Sequence, residues 1–349
     1  MRLEAKPAPG LAATLLYPLG AIVATFVVAG VLVLLAGAAP LDVFGLVIKG
    51  SVGTQFALIE TLTRATPLIF TGLAVAVAFR AKLWNIGAEA QLYAGALVTV
   101  VLGTGALPLS SIILIPILIA AAVVAGGLLL LGPALLKTRF GVDEVVTTLL
   151  LNFVMLLFVS MLLEGVLKDP AGLGWPQSQR LAAEARLPRV VTGKRLHWGF
   201  ILAIVAAIGV WIVMARTALG YEMRAVGHNA KAAAYAGIPV NRVLVKTALL
   251  SGGLAALAGF SEVSGLKGNL TLDLSPGYGY TGIVVAMLAL LNPIGVVASA
   301  IFVAAIFVGA DAMSRSAGVP SYIAEVMVAT ALLFMVVAIM LTRFKVRWR

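Results

Sequence analysis

Asn85, Glu89 and Tyr93 recur every four residues in RAKLWNIGAEAQLYAGAL, residues 80–97. A helix starting near Asn85 would turn an amide, a carboxylate and a phenol to one side. Such a face can hydrogen-bond a hydroxyl-rich or heterocyclic solute, and Trp84 adds a flat apolar surface for a ring. Gln91 lies in the same stretch. Apolar runs at 66–79 (TPLIFTGLAVAVAF) and 94–102 flank these residues, which places them at membrane depth. An ionisable side chain there costs about 2.5–3.5 kcal/mol on insertion scales and marks a pathway or a buried pair. Two roles for Glu89 are open: lining a solute pathway, or pairing with Arg80 or Lys82 to hold a broken helix.

Glu144, Thr148 and Asn152 form a second stripe, continued by Met155 and Val159. Asp143 and Glu144 suit the first turn of a helix, where the dipole favours carboxylates. Asn152 lies deeper and is the lining candidate. Tyr278 and Tyr280 belong to a third segment, LDLSPGYGYTGIVVA at 272–286, in which a glycine-containing polar break precedes a short apolar run. LWNIGAEAQLYAGAL at 83–97 has the same order without matching it residue by residue. Interrupted segments in corresponding halves point to a midplane site in transporters, with plain small-residue packing between helices as the alternative.

These residues need a membrane scaffold. The chain has 349 residues, 62% hydrophobic and 11% charged, with a mean hydropathy of +1.09, which excludes a set of soluble domains. Long runs without period-two alternation exclude a β-barrel. The fold class is all-α and polytopic, with about ten transmembrane helices, broken helices and a weak two-fold internal repeat. The expected spans are 15–37, 66–80, 86–103, 111–135, 143–163, 198–215, 242–262, 279–291, 293–312 and 320–342, with 42–64 mixed and interfacial. They make one transmembrane domain over 1–349, with repeat halves at 15–163 and 198–342, an external loop at 164–197 and a cytoplasmic loop at 216–241. The first run is too long for a signal-peptide core and is expected to be a retained helix.

The net charge of +11 reports topology here rather than nucleic acid. Placing both termini in the cytoplasm collects Arg2, Lys6, Lys137, Arg139, Arg216, Arg224, Lys231, Arg242, Lys246, Arg343, Lys345, Arg347 and Arg349 inside. The external loop departs from the rule, carrying Lys168, Arg180, Arg186, Arg189, Lys194 and Arg195. With no cysteine, a disulfide framework and a thiolate metal site are excluded. His197 and His228 both fall in polar segments, so no metal centre is expected. There is no G-x-x-x-x-G-K-[ST], and Gly193-Lys194 lacks its context. Any ATP must therefore be bound elsewhere. Neither H-E-x-x-H nor G-x-S-x-G occurs.

Between Arg216 and Arg242 the sequence marks out a short helix. Asn229 can cap it, Ala230 to Ala236 are mostly strong helix formers, and Gly237 followed by Pro239 ends it. A helix this short needs a partner surface.

LWNIGAEAQLYAGAL at 83–97, DEVVTTLLLNFV at 143–154, LKDPAGLGWPQS at 167–178, RAVGHNAKAAAYAGI at 224–238 and GYGYTGIVVAMLALLNPIG at 277–295 together resemble the permease subunits of bacterial ABC importers for nucleosides and simple sugars, of the branched-chain-permease-like superfamily. The N-I-G-A-E-x-Q core resembles the nucleoside branch. The extended N-terminus and the D-P-A-G loop resemble the longer of its paired permeases. The resemblance implies a non-catalytic translocation subunit in the inner membrane, working by alternating access. Its implied partners are a second homologous permease, an ABC ATPase subunit that binds ATP and Mg, an extracytoplasmic substrate-binding lipoprotein and membrane lipid, with no nucleic acid and no cofactor of its own. The implied pathway residues are Trp84, Asn85, Glu89, Gln91, Tyr93, Asn152, Tyr278 and Tyr280. The implied ATPase-coupling residues are Gly227, His228, Asn229, Ala232, Tyr235, Ala236 and Gly237. The external loop becomes a candidate dock for the lipoprotein. The alternative is an ion- or proton-coupled secondary transporter using Glu89.

Overall fold

Residues 2–5, 11–318, 320 and 322–347 are described by the computed structural model; Lys6 and Arg349 of the basic set lie outside them. The elements are β1 (Arg2–Ala5), α1 (Leu11–Leu35), α2 (Pro40–Val52), α3 (Gln55–Arg80), α4 (Ala88–Gly103), α5 (Ser111–Phe140), α6 (Glu144–Glu164), α7 (Gly199–Arg216), α8 (Ala218–His228), α9 (Ala230–Tyr235), α10 (Val240–Ser261), α11 (Tyr278–Leu288), α12 (Pro293–Ala317), α13 (Tyr322–Arg343) and β2 (Phe344–Arg347). Among the described residues the regular elements are helical apart from the antiparallel β1/β2 ribbon, in which Arg2 pairs with Arg347.

Each of the ten expected segments is helical, yet the number of spans is smaller. Among the described residues, six helices are long and apolar enough to cross a membrane, or seven if the bent pair Leu19–Leu35 and Pro40–Val52 is one span. The shortfall lies partly in α4 and α11, which have 16 and 11 residues. At 1.5 Å per residue they reach about 24 and 17 Å, short of a hydrocarbon core of about 30 Å. The segment 42–64, expected to be mixed and interfacial, forms α2 and the start of α3. Gly53 closes α2, and the Thr54 hydroxyl accepts the Ala57 N–H at 3.0 Å, so α3 starts eleven residues earlier than its apolar run suggests.

The chain divides into two compact units, Met1–Thr61 with Ile301–Arg349, and Leu62–Ala300. Within the first, α1 and α2 bend by 114°, and Phe26 meets Phe44 edge-on with ring centroids 5.3 Å apart. Within the second, α10 forms the core against α4 and α5 through small residues that let backbones touch. A Cβ added at Gly95 would lie 2.1 Å from the Ala256 carbonyl oxygen, and one at Gly259 would lie 1.9 Å from that of Leu92.

After Ser261, α10 widens into a π-turn over Glu262–Lys267, an irregularity that recurs at functional sites. The 164–197 loop folds onto it. Leu187 N–H donates to the Ser264 carbonyl at 2.8 Å and Leu181 N–H to that of Gly268 at 2.8 Å. His197 seals this contact. Its ring is fully buried against Gly265, where an added Cβ would come within 2.3 Å of it. Nδ1 accepts the Gly199 N–H at 3.1 Å, and Nε2 is buried with no partner among the described residues.

Burial, helped by the Arg189 guanidinium, pushes the His197 pKa down to about 4 from 6.5. Between those values the unfolded chain binds a proton that the folded chain refuses. The stabilisation is therefore complete above pH 6.5 and is lost as pH falls toward 4, by about 3 kcal/mol in all. Thermal unfolding of the purified protein between pH 7.5 and 4.5 should show a steeper acid decline for wild type than for His197→Gln. Equal slopes would refute the assignment.

Candidate functional site

The site is built around a chain break that borrows its hydrogen bonds from another helix. Arg80 ends α3, and Lys82 turns the chain with φ +53°, a conformation that costs a side-chain-bearing residue. Residues 83–87 then run without helical structure to Ala88. Unpaired backbone groups are costly in an apolar surrounding, and the α6 stripe supplies the partners. Glu144 Oε1 accepts the Trp84 N–H at 3.2 Å, Thr148 Oγ1 accepts the Ile86 N–H at 3.2 Å, and Asn152 Oδ1 accepts the Ala90 N–H at 2.9 Å. Asn152 Nδ2 donates to the Ile86 carbonyl at 3.0 Å and to the Tyr280 hydroxyl at 3.0 Å. The α6 stripe read from the sequence thus meets the backbone of residues 84–90, not the Asn85, Glu89 and Tyr93 side chains. Lys137 forms a salt bridge with Glu144 and completes its surroundings. Asp143 caps α6, accepting the Val145 N–H at 2.7 Å.

Asn85 does not share a face with Glu89 and Tyr93, because α4 starts three residues after it. Its amide and that of Gln91 exchange two hydrogen bonds of 2.9 Å, both side chains fully buried. Asn85 Nδ2 also reaches Ser251 Oγ at 3.0 Å, and that hydroxyl donates to the Ala74 carbonyl at 2.7 Å. With the Gly87 N–H donating to Asn85 Oδ1 at 3.0 Å, this network ties α3, α4 and α10 together as a satisfied polar knot.

Glu89 and Tyr93 stay one turn apart and face the second break. Glu89 Oε2 accepts the Gly279 N–H at 2.6 Å, in the first turn of α11, where a carboxylate suits the helix dipole. A Cβ at Gly279 would come 2.2 Å from the Glu89 nitrogen, so α4 and α11 touch backbone to backbone there. The Tyr93 hydroxyl donates to the Leu272 carbonyl at 2.5 Å. Ser275 Oγ accepts the Tyr278 N–H at 2.9 Å and caps the same helix. The two breaks expected from their order in the halves therefore lie against each other, and the partner of Glu89 is the α11 backbone.

Of the eight pathway candidates, Asn85, Gln91, Tyr93, Asn152 and Tyr278 are buried, Glu89 is half-buried, and Trp84 and Tyr280 are about 40% exposed. Trp84 packs edge-on against Phe79, 4.7 Å between centroids. Tyr278 takes a hydrogen bond from Arg64. Arg64 and the almost fully buried Glu262 were not singled out in the sequence. A charge inside a spanning run, as at Glu262 after GGLAALAGFS, is the signal that could have found them.

The coupling candidates lie on α8, α9 and the turn after them. Thr217 caps α8, accepting the Gly220 N–H at 3.2 Å, and Arg224 donates to the Met214 carbonyl. Gly227 sits on the end of α3, where an added Cβ would be 2.0 Å from the Arg80 carbonyl oxygen. His228 ends α8, and Asn229 caps α9 by accepting the Ala232 N–H at 3.1 Å. Tyr235 is 94% exposed, and Ala236 leads into Gly237, which closes the turn at φ +82°.

Residues 57–342 match the model of a family described as branched-chain amino acid transport system / permease component. The chain is 34% identical to the glucose ABC transporter permease protein TsgB13 of Haloferax volcanii, over 99% of this chain and 94% of that one. It is 34% identical to the guanosine ABC transporter permease protein NupP of Bacillus subtilis, over 92% of each. To the nucleoside ABC transporter permease protein NupB of Lactococcus lactis it is 30% identical, over 92% and 90%. Its apolar helices, its paired breaks and this match over most of its length agree: the chain belongs to the branched-chain amino acid transport system permease family and is a multi-pass permease component of an ABC transporter.

Proposed function

We propose that this chain forms half of the translocation pathway of an importer for nucleosides or related simple sugars, in the bacterial cytoplasmic membrane, with both termini inside. A second homologous permease forms the other half, a partner ATPase binds and hydrolyses ATP with Mg, and an external lipoprotein delivers the solute. The observation that carries this reading is the meeting of the two broken segments, with Glu89 on the α11 backbone and Asn152 on Tyr280. A contact between two helix breaks can be remade during alternating access more easily than one between continuous helices. Support for the solute class comes from the names of the relatives.

The test is reconstitution of the four components in proteoliposomes, with labelled guanosine and labelled glucose offered in turn. Uptake of one of them that requires both ATP and the binding protein is expected. Solute movement by this chain alone, driven by a proton gradient, would overturn the proposal in favour of a secondary transporter. In the same assay, joint replacement of Asn229 and Tyr235 by alanine should cut ATP-driven uptake roughly tenfold or more at normal protein levels, because it removes a cap worth about 1 kcal/mol and the exposed docking ring. Unchanged uptake would remove α9 from the coupling path.

A further inference from the structure

A cavity of about 540 Å³ lies between α9 and the turn that follows α3. Its polar lining is Lys82, Trp84, Lys137, His228, Asn229 and Lys231, and among the described residues no carboxylate lines it. Glu144 neutralises Lys137 through its salt bridge, whereas Lys82 and Lys231 are both exposed. Asn229 spends its side-chain oxygen on capping α9, which leaves its amide group as a donor. The lining therefore offers cations and N–H donors from three segments. That is the donor set that phosphate oxygens accept from. Trp84, 42% exposed, supplies an apolar wall for the carbon skeleton next to such a group. Basic pockets between spanning helices at the cytoplasmic boundary take phosphate head groups by the same chemistry.

We propose that this cavity binds the phosphate group of an organic phosphate, clamped between Lys82 and Lys231, and so joins α9 to the break before α4. The cytoplasmic placement rests on the function proposed above. The phosphate has two sources, an anionic lipid or a phosphorylated soluble metabolite. The coupling candidates His228 and Asn229 line the cavity and Tyr235 does not, so the lysine variants, which touch neither Asn229 nor Tyr235, separate occupancy from docking at the Tyr235 edge.

The test uses the full transporter in nanodiscs of phosphatidylcholine alone or with phosphatidylglycerol. Guanosine monophosphate and inorganic phosphate are titrated into the neutral discs. Trp84 fluorescence is read as the difference between wild type and Trp84→Phe. A change with the soluble phosphates in neutral discs identifies a metabolite site, and one that appears with phosphatidylglycerol alone identifies a head-group site; both support the proposal. Lys82→Gln and Lys231→Gln should each weaken the response roughly tenfold. No Trp84 response in either lipid, or a response that neither lysine variant alters, overturns it. ATP hydrolysis stimulated by the loaded binding protein, measured in the same discs, tests the transport function separately. Its loss would strike that function, while loss of the fluorescence response alone would strike only the phosphate site.

Discussion

Replacing Asn152 with leucine should lower the thermal midpoint of the purified protein sharply and abolish ATP-driven uptake. Leucine has the same branched shape and number of heavy atoms but is somewhat bulkier, so the change removes hydrogen bonds and opens no space. The buried Ala90 N–H and the half-buried Ile86 carbonyl lose their partner. Each unpaired backbone group costs about 1–3 kcal/mol, so the two together cost about 2–6 kcal/mol. That is a large fraction of an ordinary folding free energy of about 5–15 kcal/mol. Tyr280 also loses the amide that holds its hydroxyl. Leu157→Ala on the same helix is the control, because Leu157 is 71% exposed and should move the midpoint little. Equal shifts for the two variants would mean that α6 packs on the break without bonding to it.

Asn152 also shows what could be read from the chain and what could not. Its spacing from Glu144 and Thr148 correctly marks the buried side of α6, since these side chains are buried while most of the helix is not. Periodicity identifies which residues share a face, but not what the face meets. That they meet the backbone of residues 84–90 depends on long-range contacts some sixty residues apart. Asn85 went astray for a local reason. A period of four assumes a helix, and here the helix begins only at Ala88, so the side chain turns inward to Gln91. The short lengths of α4 and α11 were legible, since the expected 86–103 and 279–291 overshoot their 16 and 11 residues by about two each. What composition does not give is the bond that joins the two breaks, from the Gly279 N–H to Glu89. The cap at Asn229, by contrast, needs only neighbours within three residues and was legible from the sequence.

Gly227→Ala should disconnect the proposed coupling segment from the proposed pathway. One methyl group would lie 2.0 Å from the Arg80 carbonyl oxygen, and that oxygen belongs to backbone that cannot swing aside. Ordinary carbon–oxygen contact needs more than about 3 Å, so α8 must move by about 1 Å from the end of α3. Seven residues earlier on the same face of α8, Gly220 is packed as tightly, since a Cβ there would be 2.3 Å from the Val213 carbonyl oxygen of α7. Arg80 is followed within five residues by the turn at Lys82 and the amide knot at Asn85. A displacement of α8 therefore acts directly on the break before α4, which Glu89 links to α11. Uptake should fall roughly tenfold or more while the chain still accumulates and its ATPase continues to turn over. Gly132→Ala on α5 makes the comparison strict, because an added Cβ there meets nothing within 4 Å, and alanine is the better helix former. If both variants transported at the same rate, the contact between α8 and α3 would be packing alone, and coupling would have to reach the pathway through α7 or α10.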